Sequence, residues 1–456
     1  MNALAALPGI LALIWLVRKS HREAYLDVYL PAILLLPGWC RFVLPGAPDP
    51  TFHEAAILPI AVAFFVRWKK PWRFSLLDAL VIAYGLFIGF SEYQNAGYSD
   101  AQNLMFDMMF AGIVPYFLAK GIVEPNGLRV DFVKRIVVLI ALLACILTYE
   151  FKFAYNPYRR IFDVFFPGQG DGWVTTFRYG FARIAGPFGH AILAGIVFLI
   201  AFQLQRWLQQ CGHWEQHFRR FRTRWSKAQL LTAALVLGIL MTMVRGPQIG
   251  TLLAIAVTYM GKGNNPKRRA KFVLLAILLV GIPAAIIGYN YASVGRAAAT
   301  TTSQESAAYR KELIDKYVDI ALEHSALGWG RNGWPKVLGM PSIDNYYLLL
   351  TLMHGVPAVG MLLLILVSLV VRLLRNGFRS APAKPQGSSL SFTLAGIYVG
   401  FAFSILTVYM GDNVIPIFFT VVGFSEGYLQ AGGDASVMRT AERAAGPAPR
   451  FAHVLA

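Results

Sequence analysis

Charged residues are scarce in this chain of 456 residues. They make up 14% of the sequence and hydrophobic residues 56%, whereas a soluble domain usually has about 25% charged residues. Such a chain cannot shield its apolar surface from water, which excludes a soluble protein. Apolar runs close to the ~20 residues that cross a hydrocarbon core recur along the sequence. The composition therefore predicts a polytopic membrane protein.

Cysteine is also rare, and the three present are Cys40, Cys145 and Cys211. An odd number of cysteines set within or beside apolar segments does not indicate a disulfide framework. The predicted outer loops have no Asp-x-Asp and no histidine pair at ligand spacing. Nothing in the sequence therefore argues for a bound divalent metal, and we expect no cofactor.

Acidic residues are outnumbered by basic ones, which gives a formal net charge of +18. A nucleic-acid-binding protein would gather its Lys and Arg into one patch, whereas here they are divided among loops between apolar runs. The pattern predicts the lipid bilayer as a partner and no nucleic acid. Because most basic residues lie in alternate loops, the C-terminus is predicted in the cytoplasm. Loops 151–183 and 290–344 are then predicted to lie outside.

The apolar runs predict an all-α membrane protein with about 12–14 transmembrane helices, because a backbone in lipid must satisfy its polar groups within its own segment. Residues 1–430 are expected to form one transmembrane domain and residues 431–456 a disordered cytoplasmic tail. No internal repeat is evident. The thirteen candidate spans lie near residues 3–17, 25–44, 52–66, 75–90, 104–119, 136–150, 186–205, 229–243, 247–260, 272–289, 345–371, 391–409 and 414–430.

The stretch GWGRNGW at residues 328–334 has glycines in the G-x-G-x-x-G spacing of a dinucleotide-binding loop. That fingerprint requires a preceding strand. Here the preceding residues have apolar positions at helical spacing, which predicts an amphipathic helix in loop 290–344. We therefore interpret the stretch as a helix ended by Gly328 and followed by a glycine-rich turn that can line a site.

Three separate segments bring cations to the predicted outer face. Arg178 and Arg183 precede a span, with His190 about one turn inside it, and Arg245 occupies a tight turn between two spans. The long loop contributes Arg310, Lys311, Arg331 and Lys336 and ends at Asp344.

Each of these residues also has a structural interpretation. Arg178 at a span end can extend to lipid headgroups, and His190 can be a hydrogen-bonded core histidine. Asp344 is a natural helix N-cap residue. A mouth lined by Arg and open to lipid would nevertheless suit a ligand with an apolar tail and an anionic head, such as a polyprenyl diphosphate sugar, because guanidinium donates paired hydrogen bonds to phosphate oxygens.

Several short motifs occur in a particular order: R-I-A-G-P-F-G-H at residues 183–190, R-G at 245–246, Arg310, L-G-W-G at 327–330, D-N-Y-Y-L at 344–348 and M-H-G at 353–355. Together they resemble the bacterial O-antigen ligase and polysaccharide polymerase superfamily, membrane glycosyltransferases of the C-type architecture. The resemblance covers roughly residues 130–430. Asp-Asn at 344–345 and the G-P-F-G-H stretch are more similar to exopolysaccharide polymerases than to ligases.

The resemblance implies transfer of a glycan from undecaprenyl diphosphate to an acceptor hydroxyl at the periplasmic face, with inversion and without a metal. Arg183, Arg245 and Arg310 match pyrophosphate-binding or basic positions of the family. Many ligases have His-Asn where this chain has Asp344-Asn345. The catalytic base is then Asp344 or His190, or no residue has this role, and we favour Asp344. The residues expected to line the substrate site are Arg331, Asn345, Tyr346 and Arg178.

The implied partners are the undecaprenyl diphosphate-linked glycan donor, the glycan acceptor and other polysaccharide-assembly proteins, with the chain in the bacterial inner membrane. Two other functions stay open, ligation of O-antigen to lipid A core and transport of a lipid-linked sugar by a flippase or secondary transporter. A transporter would place coupling charges at the bilayer midplane and often has inverted repeats. A membrane scaffold would leave the outer arginines without a purpose.

Overall fold

Helices form nearly all of the regular structure. A computed structural model describes residues 2–43, 46–68, 72–170, 175–216, 224–263, 265–380, 388–411 and 413–434. Helix accounts for 74% of the structure, and in these ranges the only strands are Phe177–Arg178 and Phe181–Ala182. The predicted all-α polytopic membrane fold is confirmed. Most of the predicted tail, residues 435–456, lies outside the described ranges.

Each of the thirteen predicted spans overlaps a helix. The α-helices are Leu7–Arg18, His21–Ala24, Leu30–Leu35, Phe52–Arg67, Leu76–Asp107, Val114–Ile122, Arg129–Phe153, Pro157–Phe165, Ala191–Gln210, Lys227–Met241, Arg245–Met260, Pro266–Ala276, Ile282–Ala292, Thr302–Glu323, Tyr346–Ser380, Leu390–Ser404 and Val414–Gln430. Wider π-helical turns, Tyr25–Tyr29, Met108–Ile113 and Ile277–Gly281, connect several of them, and short 3-10 helices are Asn2–Ala6, Glu124–Asn126, Gly186–Phe188 and Ile405–Thr407.

Five helical segments in the described ranges are long and apolar enough to cross a membrane. They are Leu76–Asn126, Ala191–Gln210, Pro266–Ala292, Tyr346–Ser380 and Leu390–Thr407. Ala191–Gln210 is almost wholly buried and forms the centre of the bundle, whereas Pro266–Ala292 has no buried residue in its most apolar stretch. The count of about thirteen spans stays a prediction.

Small residues bring the helix that begins at Arg245 close to its neighbour. A Cβ added to Gly250 would lie 2.7 Å from the carbonyl oxygen of Gly400, and one added to Gly396 would lie 2.7 Å from that of Ala254. Such spacing of small residues lets two membrane helices pack backbone to backbone. The packing of Arg245–Met260 against Leu390–Ser404 therefore fixes the position of Arg245 at the start of its helix.

The helix Tyr346–Ser380, here named the broken helix, is interrupted at Gly355, whose φ is 77° and ψ is 176°. Pro357 cannot donate to the carbonyl of Met353. The glycine-rich turn (residues 328–333) repairs this break, because Trp329 N–H donates to Leu352 O at 2.8 Å and Gly330 N–H to Met353 O at 2.9 Å. The L-G-W-G and M-H-G motifs are thus parts of one contact.

The amphipathic helix of the long loop, here named the loop helix, spans Thr302–Glu323. It ends five residues before Gly328, earlier than the sequence indicated, and Gly328 N–H donates to His324 O at 2.8 Å. Gly328 has a φ of 66°, and a Cβ there would lie 2.4 Å from the backbone of Met353. The glycine is therefore needed for close docking on the broken helix.

Gly355→Ala should destabilise the protein by about 2–4 kcal/mol, because the new Cβ would lie 2.6 Å from Ser325 O and the backbone conformation is strained for an L-residue. The matched control is Gly360→Ala in the same helix, where an added Cβ meets nothing within 4 Å. Thermal unfolding in detergent measures both variants. Equal unfolding midpoints for the two would contradict the importance of the break.

Candidate functional site

Arg178 lies in a short β-hairpin with a two-residue loop. Phe177–Arg178 pairs antiparallel with Phe181–Ala182, and the residues between them, Tyr179 and Gly180, have φ values of 50° and 79°. Positive φ at both positions is the geometry of a type I′ turn, whose twist matches that of the strands. Arg178 Nη1 donates to Met243 O at 2.7 Å, two residues before Arg245.

Arg183 is tied to the same turn. Its Nε donates to Thr242 O at 3.3 Å, and the N–H of the next residue, Ile184, donates to Met241 O at 3.3 Å. Arg245 itself is the first residue of its helix. These contacts bring two segments that the sequence treats separately, around residues 183 and 245, to one place.

The loop helix brings a further arginine to this turn. Arg245 Nη2 donates to Ser303 Oγ at 2.9 Å, and Arg310 follows two turns later on the same helix. Arg310 Nη1 donates to Ser306 Oγ at 3.1 Å, while its buried Nε has no hydrogen-bond partner within the described ranges. We name Arg178, Arg183, Arg245 and Arg310 the arginine cluster.

The arginine cluster holds more positive charge than its surroundings balance. Burial, followed by the charges of Arg178 and Arg310, lowers the pKa of Arg183 to about 10, an effect that Asp344 opposes. The pKa of Arg310 is likewise lowered by burial, an effect that Asp344 opposes. In the part of the chain that the structure describes, no cluster member forms an ion pair with a carboxylate. The cluster is therefore suited to an anionic ligand.

A cavity of about 580 Å³ contains both candidate catalytic residues, His190 and Asp344. Its lining also includes Tyr317, Trp334, Lys336 and Tyr409, and the Lys336 ammonium lies 3.4 Å from the centre of the Trp334 ring. The sequence identified Lys336 as an outer cation and Tyr317 only as an apolar helix position. Trp334 ends the stretch GWGRNGW, which the sequence indicated can line a site. Tyr409 was missed, because a single aromatic residue at a span end has no distinguishing pattern.

The sequence predicted that His190 lies about one turn inside a span, and this prediction is wrong. His190 is the N-cap residue of Ala191–Gln210, and its Nδ1 accepts from Ile192 N–H at 3.2 Å. Burial first, and then Arg183, lowers its pKa to about 4, so the ring is neutral at pH 7. Because Nδ1 accepts a hydrogen bond, Nε2 of the neutral ring carries the proton and is a donor.

The interpretation of Asp344 as a helix N-cap residue is wrong, because Asp344 is not the cap of the broken helix. Asn345 is the cap, since its Oδ1 accepts from Tyr347 N–H at 3.0 Å and Leu348 N–H at 3.2 Å. The Asp344 carboxylate instead accepts from Ser342 Oγ at 3.0 Å and lines the cavity. The reason is geometric, because only the residue directly before the first helical turn can reach its N–H groups.

The other predicted lining residues lie elsewhere. Arg331 Nε is 3.1 Å from Glu92 Oε1 and is thus drawn away from the arginine cluster. The Tyr346 hydroxyl lies 3.3 Å from that of Tyr84. Both Arg331 and Tyr346 line a second cavity of about 240 Å³, so neither was placed by the structure beside His190 and Asp344.

Part of the chain matches a known protein family. Residues 230–363 match the family model described as O-antigen ligase, and no curated protein matches the chain. The matched segment includes Arg245, Arg310 and Asp344, whereas Arg183 and His190 precede it. This match confirms the predicted resemblance of this multi-pass membrane chain to the O-antigen ligase and polysaccharide polymerase superfamily.

Proposed function

We propose that this chain transfers a glycan from undecaprenyl diphosphate to an acceptor sugar hydroxyl at the periplasmic face, and so polymerises exopolysaccharide or O-antigen repeat units. The match to O-antigen ligase supports a glycosyltransferase of the ligase or polymerase type. The observation that carries the finer proposal is that Asp344 lies near the arginine cluster. Ser342, whose Oγ donates to Asp344, also donates its N–H at 3.2 Å to the hydroxyl of Tyr309, the residue before Arg310.

The arginine cluster would hold the donor diphosphate. When the bond between the anomeric carbon and the phosphate oxygen breaks, negative charge grows on the departing diphosphate. Guanidinium groups that are already in place stabilise that charge without reorganisation. The Nε of Arg310, which has no hydrogen-bond partner among the described residues, offers one donor to the diphosphate. In this proposal these cations do the work that a divalent metal does in other transferases.

Asp344 would act as the general base. The acceptor oxygen forms the new bond to the anomeric carbon, its proton passes to the Asp344 carboxylate, and undecaprenyl diphosphate leaves. One displacement inverts the anomeric configuration. His190 is a poor base because its Nδ1 accepts from Ile192 N–H and its Nε2 carries the proton of the neutral ring. In this proposal Nε2 donates to a substrate oxygen.

His190→Asn separates these two roles. Asn is a good N-cap residue, so stability at pH 7 should change little, and transfer should fall by about tenfold or less because only one hydrogen bond is lost. Loss of a base would reduce transfer by ~10²–10⁴-fold. A loss of that size in a folded His190→Asn protein would indicate that His190, and not Asp344, is the base.

The same variant should also change how the stability of the protein depends on pH. The pKa of His190 falls from its ordinary 6.5 to about 4 in the folded protein, so the unfolded chain binds more protons between these values. Stability should therefore fall as the pH drops from 6.5 towards 4. In His190→Asn this part of the fall should disappear, which unfolding midpoints at pH 7, 5.5 and 4.5 would measure. An unchanged pH profile would contradict the burial of a neutral His190.

Mass analysis of the products from one purified lipid-linked repeat unit tests the function. A polymerase releases undecaprenyl diphosphate and yields dimers and longer chains with an inverted new linkage. The family description makes ligation to lipid A core the second candidate. Deleting the gene distinguishes the two, because loss of polymer length indicates a polymerase and polymer left on its carrier indicates a ligase. Movement of a labelled lipid-linked sugar across vesicles without joining would instead indicate a transporter.

A further inference from the structure

The second cavity lies directly beside the first. Leu349 and Tyr409 line both of them, and the Tyr409 ring centre is 6.2 Å from that of His190. The two spaces are therefore separated by a wall one side chain thick. The second cavity has a volume of about 240 Å³, which fits a ligand of about one sugar ring.

Asp344 stands at the edge of that wall. It lies two residues before the start of the broken helix, in whose first part, residues 346–354, Tyr346, Leu350 and Met353 line the second cavity. Asp344 itself lines the first cavity. A base in this position can reach a hydroxyl group that enters from the second cavity while the donor occupies the first.

The polar lining of the second cavity is balanced in charge. It contains two arginines, Arg41 and Arg331, and two carboxylates, Glu54 and Asp107. Arg41 binds Asp107 through two hydrogen bonds of 3.0 Å, and Glu54 accepts from Thr51 Oγ1 at 2.9 Å. Such a lining differs from the arginine cluster, because it offers donors and acceptors without attracting an anion.

The rest of the lining is mostly apolar and includes Met108, Met353 and Met410. A pyranose combines both requirements, since its C–H faces are apolar and its hydroxyl groups need polar partners around the rim. The Tyr409 ring supplies an aromatic face in the wall between the cavities. A lipid chain fits the apolar wall, but it would take water from the Arg41–Asp107 pair without replacing its hydrogen bonds.

We propose that the second cavity binds an uncharged sugar ring of the acceptor glycan and directs its attacking hydroxyl past Tyr409 towards Asp344. This inference rests on the proposed function. The two substrates would then be separated by charge. The diphosphate of the donor would lie at the arginine cluster, and the neutral acceptor ring would lie beside the Arg41–Asp107 pair.

Filling the second cavity tests the inference. Ala111 lines it, and Ala111→Leu would occupy part of the space without removing any polar group. The full chain is assayed with a radiolabelled lipid-linked repeat unit as donor and the repeat-unit oligosaccharide, freed from its carrier, as acceptor. We expect kcat/KM for the acceptor to fall about tenfold or more. Binding of undecaprenyl diphosphate alone should stay within about twofold of wild type.

The matched control is Ala83→Leu, which makes the same change at an exposed position of Leu76–Asp107 and should behave as wild type. If Ala111→Leu fails to fold, Leu104→Phe fills the same cavity from a position two turns earlier in the helical segment Leu76–Asn126. Normal acceptor kinetics in a folded cavity-filling variant would overturn the inference, and so would loss of undecaprenyl diphosphate binding, which indicates a lipid chain there. A wild-type protein that joins no sugars would instead refute the proposed function.

Discussion

Arg245→Ala should reduce glycan transfer by ~10²–10³-fold, the size of effect seen when one preplaced group that stabilises developing negative charge is removed. Arg245 starts its helix beside Thr242 and Met243, to which Arg183 and Arg178 are bound, and it reaches Ser303 on the loop helix. Its loss would therefore remove the group that connects the segments of the arginine cluster. Arg183→Ala should have nearly the same effect.

The assay measures undecaprenyl diphosphate released from the lipid-linked repeat unit, with thermal unfolding as a check of folding. Arg245→Lys should recover part of the rate, because it keeps the charge but loses the paired donors of guanidinium. Arg160→Ala is the matched control, since Arg160 is exposed on the helix Pro157–Phe165 of the other predicted outer loop. Wild-type rates in both Arg245→Ala and Arg183→Ala would show that the arginine cluster does not bind the diphosphate.

Asp344→Asn should lower the transfer rate by ~10²–10⁴-fold, because the amide keeps the shape of the side chain but cannot accept the proton of the attacking hydroxyl. Asn345 caps the broken helix, so the substitution should leave the stability of that helix nearly unchanged. The loss should appear mainly in kcat, while binding of undecaprenyl diphosphate changes little. That division distinguishes a base from a residue that only shapes the cavity.

Asp315→Asn provides the control for Asp344→Asn. Asp315 is an exposed carboxylate of the loop helix whose partner is Lys311, with 2.7 Å between Oδ2 and Nζ, and such surface pairs contribute little to stability. The control should retain wild-type transfer. A residual rate near wild type in Asp344→Asn, with the protein folded, would eliminate Asp344 as the base and return attention to His190.

The sequence alone predicted the helices and the residues that carry charge to the site. A membrane helix satisfies its backbone within one continuous apolar segment, so the length of each run is enough to predict it. Arg245 was recognisable for a related reason, because a turn that short keeps its side chain at the mouth of the protein. The R-G and D-N motifs then indicated the superfamily before any contact was known.

Contacts between distant parts of the chain were beyond the sequence. Arg331 has the same side chain as the members of the arginine cluster, yet Glu92, 239 positions earlier, binds it at another cavity. The second cavity combines Arg41, Asp107 and the broken helix, which no local pattern relates.

Local patterns describe which residues can share a face, and the tertiary structure decides which charges meet. The sequence determined that this protein crosses the membrane in helices, and it predicted that arginines and a carboxylate lie at one face. Only the tertiary structure decided that Asn345 caps the broken helix and leaves Asp344 at the cavity. The physical reason is that a cap depends on backbone angles at single residues, and an ion pair depends on which helices pack side by side.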